Sequence, residues 1–420
     1  MSGPVANNIF RSSGVIAAAA GGLSWQPVVT ASTLTAEAGN GYWINTTSNT
    51  CTITLPASAE AGDQIIFADY ARTWGTNKII IDSNGLNYQG DPDTFTLEYD
   101  TSGQTVSIVY SGATVGWIPE DDDTVADVPV YPPTQKAIMA FGNAGGGTGR
   151  VSLSNLVSSS GVVAADVTGV GTARDGPAAE SYGFDKAIFA YGYNGSSEVS
   201  MSNLVSNSGV VATDTTGVGT VRWLLAASGY GGDKAIFGYG LASSATNLSN
   251  LVSSSGVVAT DTAGVGTARR SIAACGYGGD KGIFGYGTGL SNTTNLVTNA
   301  GVVGTDVTGV GSARKGLDAA KYGTDKGIFA YGSTGSVVSL SNLISNSGVV
   351  AADTTGVGTA RETPGAAGYG GDKAIFAYGT TGTRVSMSNL VSNVGVVAAD
   401  VSGVGTARDD LAAAGYSNSA

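Results

Sequence analysis

The residues of this chain that could do chemistry recur instead of converging. A Lys opens the same stretch six times, at Lys136, Lys186, Lys234, Lys281, Lys326 and Lys373, with spacings of 50, 48, 47, 45 and 47 residues. Five of the six units bring an Asp beside the Lys (as in Asp233-Lys234), and each brings a further Asp closing a Gly-Val-Val segment (as at Asp261) and an Arg, at Arg174, Arg222, Arg269, Arg314, Arg361 and Arg408. Glycoside hydrolysis needs one special pair of carboxylates in a cleft. One Asp per unit in the same repeated position offers no such pair, so the Asp-Lys pairs and the Arg read as structural hydrogen-bonding groups, repeated because the unit is repeated.

The chain has no histidine, which removes the commonest general base and zinc ligand and every His-containing triad at once. Cys51 and Cys275 lie in different segments without metal-ligand spacing and read as small core residues. Asp82-Ser83-Asn84-Gly85 lacks the alternating ligands and distal Glu of a calcium loop. Gly145-Gly146-Gly147 is not followed by a P-loop lysine. The expectation is therefore a protein with no catalytic residues, no metal and no cofactor.

Composition says what must position these residues. With 420 residues, 42% hydrophobic, 12% charged and 65 Gly, the chain can bury a large core, built from short elements joined by tight turns. No apolar run approaches the length needed to span a bilayer. Residues 1–135 carry three basic against 14 acidic residues, and the remainder 17 against 18. Without clustered Lys and Arg, nucleic acid is not an expected partner.

In chain order, residues 1–24 form a Gly/Ala/Ser-rich leader that cannot bury enough surface to fold alone, and within it Asn7, Asn8, Ile9, Phe10 and Arg11 are candidate anchoring residues. From residue 25 to 119, β-branched and polar residues alternate, as in Gln64-Ile65-Ile66-Phe67 and Thr105 to Tyr110, with turn signals such as Glu60 to Asp63 between the runs. This is an all-β domain of sandwich or jelly-roll type. Residues 120–135, acidic and then Pro-rich, read as a linker.

Residues 136–420 read as six repeats of four short antiparallel strands, a six-bladed β-propeller. The Ala/Gly-rich strand, such as Leu411 to Tyr416, suits the crowded axis of a ring. The first unit lacks such a strand ahead of Lys136 and the chain ends just after one, so the C-terminal strand is expected to close the ring and leave no edge. A β-solenoid is the alternative.

Two resemblances rest on these residues. The array resembles the kelch-type propeller, with strand-ending Tyr-Gly or Phe-Gly where kelch repeats carry a double glycine and with the Arg before the innermost strand, though without the usual blade Trp. The segment including Trp25-Gln26, Thr35 to Thr47, Thr54 to Ser58, Ala61-Gly62-Asp63, Ala68-Asp69-Tyr70 and Gly116-Trp117 resembles the N-terminal β-domain of fibre-like virion proteins of tailed phages, especially those infecting cyanobacteria and other aquatic bacteria. That resemblance implies an appendage on the phage particle, attached through its N-terminus to other virion proteins of tail, neck or capsid, as a homotrimer. The expected function is a tail fibre or receptor-binding protein that engages a host surface glycan or protein. The alternatives are a structural capsid or neck decoration and a polysaccharide hydrolase.

Variation between units places the candidate recognition face. The inserts after Tyr-Gly (Asn143 to Arg150, Tyr193 to Glu198, Leu241 to Asn247, Thr288 to Thr293, Ser333 to Val337, Thr380 to Arg384) and the pairs after the Arg differ between units, while the other connections agree closely. Alternate connections of an up-and-down blade share a side, so both variable sets are expected on one face. Loops free to vary on a rigid scaffold are where binding is usually placed. Tyr193, Asn194, Trp223, Arg270 and Arg384 are the candidate receptor-binding residues, with drift on a face that touches nothing as the competing reading.

Overall fold

The structure, a computed structural model, describes residues 23–120, 126–129, 133–146 and 149–420. The candidate anchoring residues Asn7, Asn8, Ile9, Phe10 and Arg11 lie outside them. The chain divides into two compact units, Met1–Val130 and Tyr131–Ala420. Every regular element described is a strand.

The first unit holds β1 (Ser24–Trp25), β2 (Thr33–Thr35), β3 (Asn40–Ile44), β4 (Cys51–Thr54), β5 (Gln64–Asp69), β6 (Ile79–Asp82), β7 (Phe95–Tyr99), β8 (Thr105–Tyr110), β9 (Trp117–Pro119) and β10 (Ala126–Pro129). They form two five-stranded sheets, ordered β1-β3-β5-β8-β9 and β10-β7-β6-β4-β2. Ile44, Ile65, Phe67 and Trp117 from the first and Cys51, Ile53, Ile79 and Leu97 from the second share one buried core.

The sandwich is wound differently from the expected jelly roll. β1, β3 and β5 pair in parallel, as do β2, β4 and β6, so the chain alternates between sheets over its first six strands. Parallel neighbours need a crossover, and here each strand of one sheet serves as the crossover of the other. A second correction concerns residues 120–135: far from being linker throughout, this stretch supplies β10, which pairs antiparallel with β7. The Asp82 turn is as expected, with Asn84 and Gly85 left-handed and the Gly85 amide bonded to the Asp93 carboxylate.

The second unit contains six three-stranded antiparallel sheets. Each has a central Lys strand flanked by an Ala-rich strand and a strand carrying a buried Asn. In the second sheet these are Lys186–Tyr193, Ala178–Tyr182 and Glu198–Val205. The Lys strands run Lys-Ala-Ile-Phe-Ala or close to it, with the four residues after the Lys buried, as expected of strands covered on both faces.

The first sheet is completed from the far end of the chain: Ala412–Tyr416 pairs with Lys136–Ala140, Lys136 opposite Tyr416 and Ala140 opposite Ala412. The Ala-rich strands pack side by side in order, Ala178–Tyr182 beside Ala412–Tyr416, so their sequence of neighbours returns to its start. Backbone bonds follow the same cycle. The amides of Gly183, Gly231, Gly278 and Gly323 donate to the carbonyls of Asp233, Asp280, Asp325 and Asp372, Gly370 donates to Gln135, and Ser417 returns to Asp185, at 2.7 to 2.9 Å.

The expected fourth strand of each unit is not formed. The Gly-Val-Val segments touch their sheets only at isolated bridges, such as Val157 with Val163 and Ser154 with Val167. The reason is local: Asn155 Nδ2 donates to the Ala164 carbonyl at 2.9 Å, so a side chain occupies a carbonyl that a ladder would use. The same bond recurs from Asn203, Asn250, Asn295, Asn342 and Asn389.

Candidate functional site

The repeated Arg is a joint between neighbouring sheets. Arg174 is fully buried, with its guanidinium 3.9 Å from the centroid of Phe141 in the first sheet and Nη2 donating to Asn203 Oδ1 in the second at 2.7 Å. Asn203 Nδ2 in turn donates to Asp214, which also accepts from the amide and hydroxyl of Thr172. Burial raises the Asp214 carboxyl, but the bonds from Thr172 and Asn203 outweigh it and hold the group below the usual carboxylate range. Burial pushes Arg174 down to about 10, still charged at neutral pH. The other five Arg sit over Tyr191, Tyr239, Tyr286, Tyr331 and Tyr378 at 4.0 to 5.0 Å. A buried cation needs close partners of this kind, so the repeated Arg and Asp read as structural, although the Nε atoms of Arg174, Arg222, Arg269 and Arg361 are buried without a hydrogen bond.

The Asp-Lys pairs are bonded too, as in Asp233 with Lys234 at 2.9 Å, but the Lys side chains are 40–45% exposed. Such pairs contribute little to stability.

Both variable sets meet, as the sequence suggested. Bridges join Asn143 to Asp409, Asp175 to Tyr193, Trp223 to Leu241, Lys315 to Ser333 and Glu362 to Thr380, and the Thr288 amide donates to the Arg270 carbonyl at 2.9 Å. Each joins the residue after an Arg to the start of an insert. The near-invariant connections meet elsewhere, with the rings of Tyr182, Tyr230 and Tyr277 against Gly256, Gly301 and Gly348 of the Gly-Val-Val turns.

Of the candidate residues, Tyr193 and Trp223 come together, ring centroids 5.4 Å apart and both half-buried. Arg150 lies over Tyr193 at 4.6 Å and pairs with Asp175 at 3.1 Å. Asn194 spends its side-chain oxygen on the amides of Ser196 and Ser197, shaping the hairpin that presents Tyr193. Arg384 is clasped, its Nε donating to the Asn143 carbonyl and to Asp409 Oδ1 at 2.8 and 2.9 Å, across the seam between last and first units. Arg270 is half-buried on another part of the face and does not join the pair.

Sequence reasoning missed a ring inside this face. Gly176, Leu224, Ser271, Gly316, Thr363 and Asp410, each two residues past the repeated Arg, all have left-handed backbones with φ between 49° and 62°. The amide of Gly176 donates to the Asp410 carbonyl, Leu224 to Gly176, Ser271 to Leu224, Gly316 to Ser271 and Thr363 to Gly316, at 2.6 to 3.0 Å, five of the six links, with none between Asp410 and Thr363 among the described residues. A non-Gly residue at positive φ is strained, and strain of this kind persists only where the surroundings impose it. Here the tangential bonds impose it.

The ring carries unlike charges around its circumference. Asp175, Glu362, Asp409 and Asp410 flank one sector, and Arg270 and Lys315 the other. Burial, then the charges of Asp409, Asp175 and Glu362, push the Asp410 carboxyl up to about 7. Burial also raises Asp175, against the pull of Arg150. The sequence signal was present in the unlike pairs after each Arg, but only the ring shows that they face one mouth. Among the described residues no group of three or more His, Cys, Asp or Glu converges to hold a metal, and no helix is long and apolar enough to cross a membrane. No known protein family matches the chain, and no curated protein matches it.

Proposed function

We propose that residues 131–420 form a six-bladed, kelch-like propeller and that the chain is a recognition protein of a tailed-phage particle, a tail fibre or receptor-binding appendage. In this reading the N-terminal leader attaches a homotrimer to other virion proteins, and the variable face meets a glycan or protein on the host surface. The cycle of inter-sheet bonds, returning through Gly370 and Arg408 to the first repeat, supports the ring. The likeness of residues 25–119 to phage fibre domains supports the virion.

The observation that carries recognition is the Tyr193–Trp223 pair with Arg150 over it, a part-exposed aromatic and cationic platform on the face where the units differ. Aromatic residues and Arg dominate binding hot spots, and planar rings suit the apolar faces of sugars. One observation favours the decoration reading instead: Val162, Val210, Val257, Val302, Val349 and Val396 are each more than 60% exposed at the same point of the near-invariant turns. A repeated apolar surface of this kind fits a fixed contact with other subunits.

The test is a phage carrying Y193A and W223A together. Recognition requires normal incorporation and a loss of adsorption to the host. Normal adsorption, with the protein found on capsid or neck by electron microscopy, overturns recognition in favour of decoration.

A further inference from the structure

Among the described side chains the exposed aromatic ones are Trp25, Trp43 and Tyr70, all in the first unit. Trp43 alternates with Tyr42 and Ile44, which enter the core, so it stands on the outer face of its sheet. Trp25, opposite Gly41 on the neighbouring edge strand, fills the space that a side chain at Gly41 would take: a Cβ there would lie 2.8 Å from its ring. The two indoles stack at 4.1 Å with 20° between their planes, yet remain 44% and 37% exposed. Each covers one face of the other and offers its remaining surface to solvent. On the same side of the sheet Gln64, Ser107 and Glu120 form a hydrogen-bonded polar patch. A stack of two indoles is far smaller than the ~800 Å² per partner of a standard protein interface, and it fits one inserted side chain.

Two observations say what that side chain is. The surroundings are acidic, because residues 1–135 hold 14 Asp and Glu against three Lys and Arg. Lys78 is paired with Glu98 and Arg72 lies against Gly103, so among the described residues no cation covers the indoles. The second unit shows what aromatic pairs of this chain accept. Each of the six pairs described there carries an Arg guanidinium over one ring, 3.9 to 5.0 Å from its centroid, as Arg222 does over Tyr191 in the Tyr191–Phe237 pair.

We propose that the Trp25–Trp43 stack is a docking site for an arginine side chain of a basic partner protein, the guanidinium lying over an open indole face. Trp is the best cation–π partner, a planar guanidinium stacks on aromatic faces, and the negative field of the first unit draws a basic segment towards it. The close approach of Gly41 seats Trp25 before the partner arrives, so little ordering remains to oppose binding. The site lies in the first unit and does not depend on the recognition reading, which concerns the second.

The test titrates the full chain with Gly-Arg-Gly-Arg-Gly amide at about 0.1 M salt, where attraction to distant carboxylates is screened. Binding heat and the paired-indole signal in circular dichroism are followed, and that signal reports on Trp25 and Trp43, since no other two indoles stack among the described residues. The expected result is a saturable response that the same peptide with citrulline for arginine, isosteric and uncharged, does not give. W43A removes a ring outside the buried core, so it should fold and should weaken binding about fivefold or more, the scale of a cation–π contact. W43F, which keeps a ring, should restore part of the loss. The Y193A and W223A variant, which tests recognition, should bind the peptide as wild type does. Unchanged affinity in W43A, equal binding of the citrulline peptide, or loss of binding in the Y193A and W223A variant overturns the proposal. A paired-indole signal that responds to cellotetraose and not to the arginine peptide overturns it in favour of a sugar.

Discussion

Arg408 Nη2 donates to Asn155 Oδ1 at 2.7 Å, although the two residues are 253 positions apart. The bond repeats, across the ends of the array, what Arg222 does with Asn250 between adjacent units. Both Arg are fully buried over a Tyr ring.

The proposed closed ring would have no weak end, so R408A and R222A should destabilise alike, by about 3 kcal/mol or more, the cost of breaking a buried charge network. Urea unfolding of the two variants measures this. An R408A midpoint close to wild type, with R222A severely shifted, would mark the seam as open and favour a solenoid.

The first sheet carries Phe141 where the other five carry Tyr191, Tyr239, Tyr286, Tyr331 and Tyr378. Each Tyr hydroxyl donates to a Val carbonyl, such as Tyr191 to Val218 at 3.2 Å and Tyr378 to Val404 at 3.1 Å. By repeat position the missing partner is the Val170 carbonyl. F141Y should therefore stabilise the protein by about 1 kcal/mol, the net value of one hydrogen bond, read as a higher melting temperature.

How much of this was legible in the sequence depended on whether the signal was local. The Lys strands were, because Lys-Ala-Ile-Phe is apolar without interruption and bounded by Gly; so was the completing role of Leu411 to Tyr416, which follows from the phase of the repeat. Gly-Val-Val-Ala-Ala-Asp was misleading, since its composition suits a strand but the Asn155 side chain takes the Ala164 carbonyl that pairing would need. In residues 25–119 alternation located strands such as Gln64–Asp69 but could not say that the next strand would cross to the other sheet. Of the candidate site, Tyr193 and Trp223 were singled out by variation between units, and their rings lie together. Asp175, Glu362 and Asp410 were not, because they lie in three different repeats; a backbone bond from Gly176 to the Asp410 carbonyl links the first and last of them.

In the first unit Trp25 stacks on Trp43 with ring centroids 4.1 Å apart, and both rings are part-exposed. Gly41 lies beneath: a Cβ there would meet the Trp25 ring at 2.8 Å. G41A should push Trp25 off its partner and abolish the paired-indole signal in circular dichroism while leaving the fold intact, because neither ring belongs to the buried core. An unchanged spectrum would show that the stack does not need the close approach.

The last prediction concerns pH and rests on Asp318, the first residue of its Ala-rich strand. At this register position four other sheets carry Ala178, Ala226, Ala273 and Ala412, and one carries Gly365. Burial pushes the Asp318 carboxyl up to about 8, and the nearby charge of Glu180 adds to the rise against bonds from the Ala319 and Ala366 amides. Burial raises Glu180 in the same sense. A carboxyl with a raised folded-state pKa keeps its proton in the folded chain after the unfolded chain has lost it, so between the ordinary carboxylate range and about 8 the native state binds more protons. Its contribution is fully present below the ordinary range and is lost as pH rises through about 8. Asp214 and its equivalents, held low, act oppositely, and their contribution is lost as pH falls into the acid range. D318A places the residue of the other sheets at this position. It should match wild type in acid, exceed it progressively as pH rises towards about 8, and leave the loss of stability at low pH unchanged. Urea midpoints of both proteins across this range decide the matter, and parallel curves would place the proton linkage elsewhere.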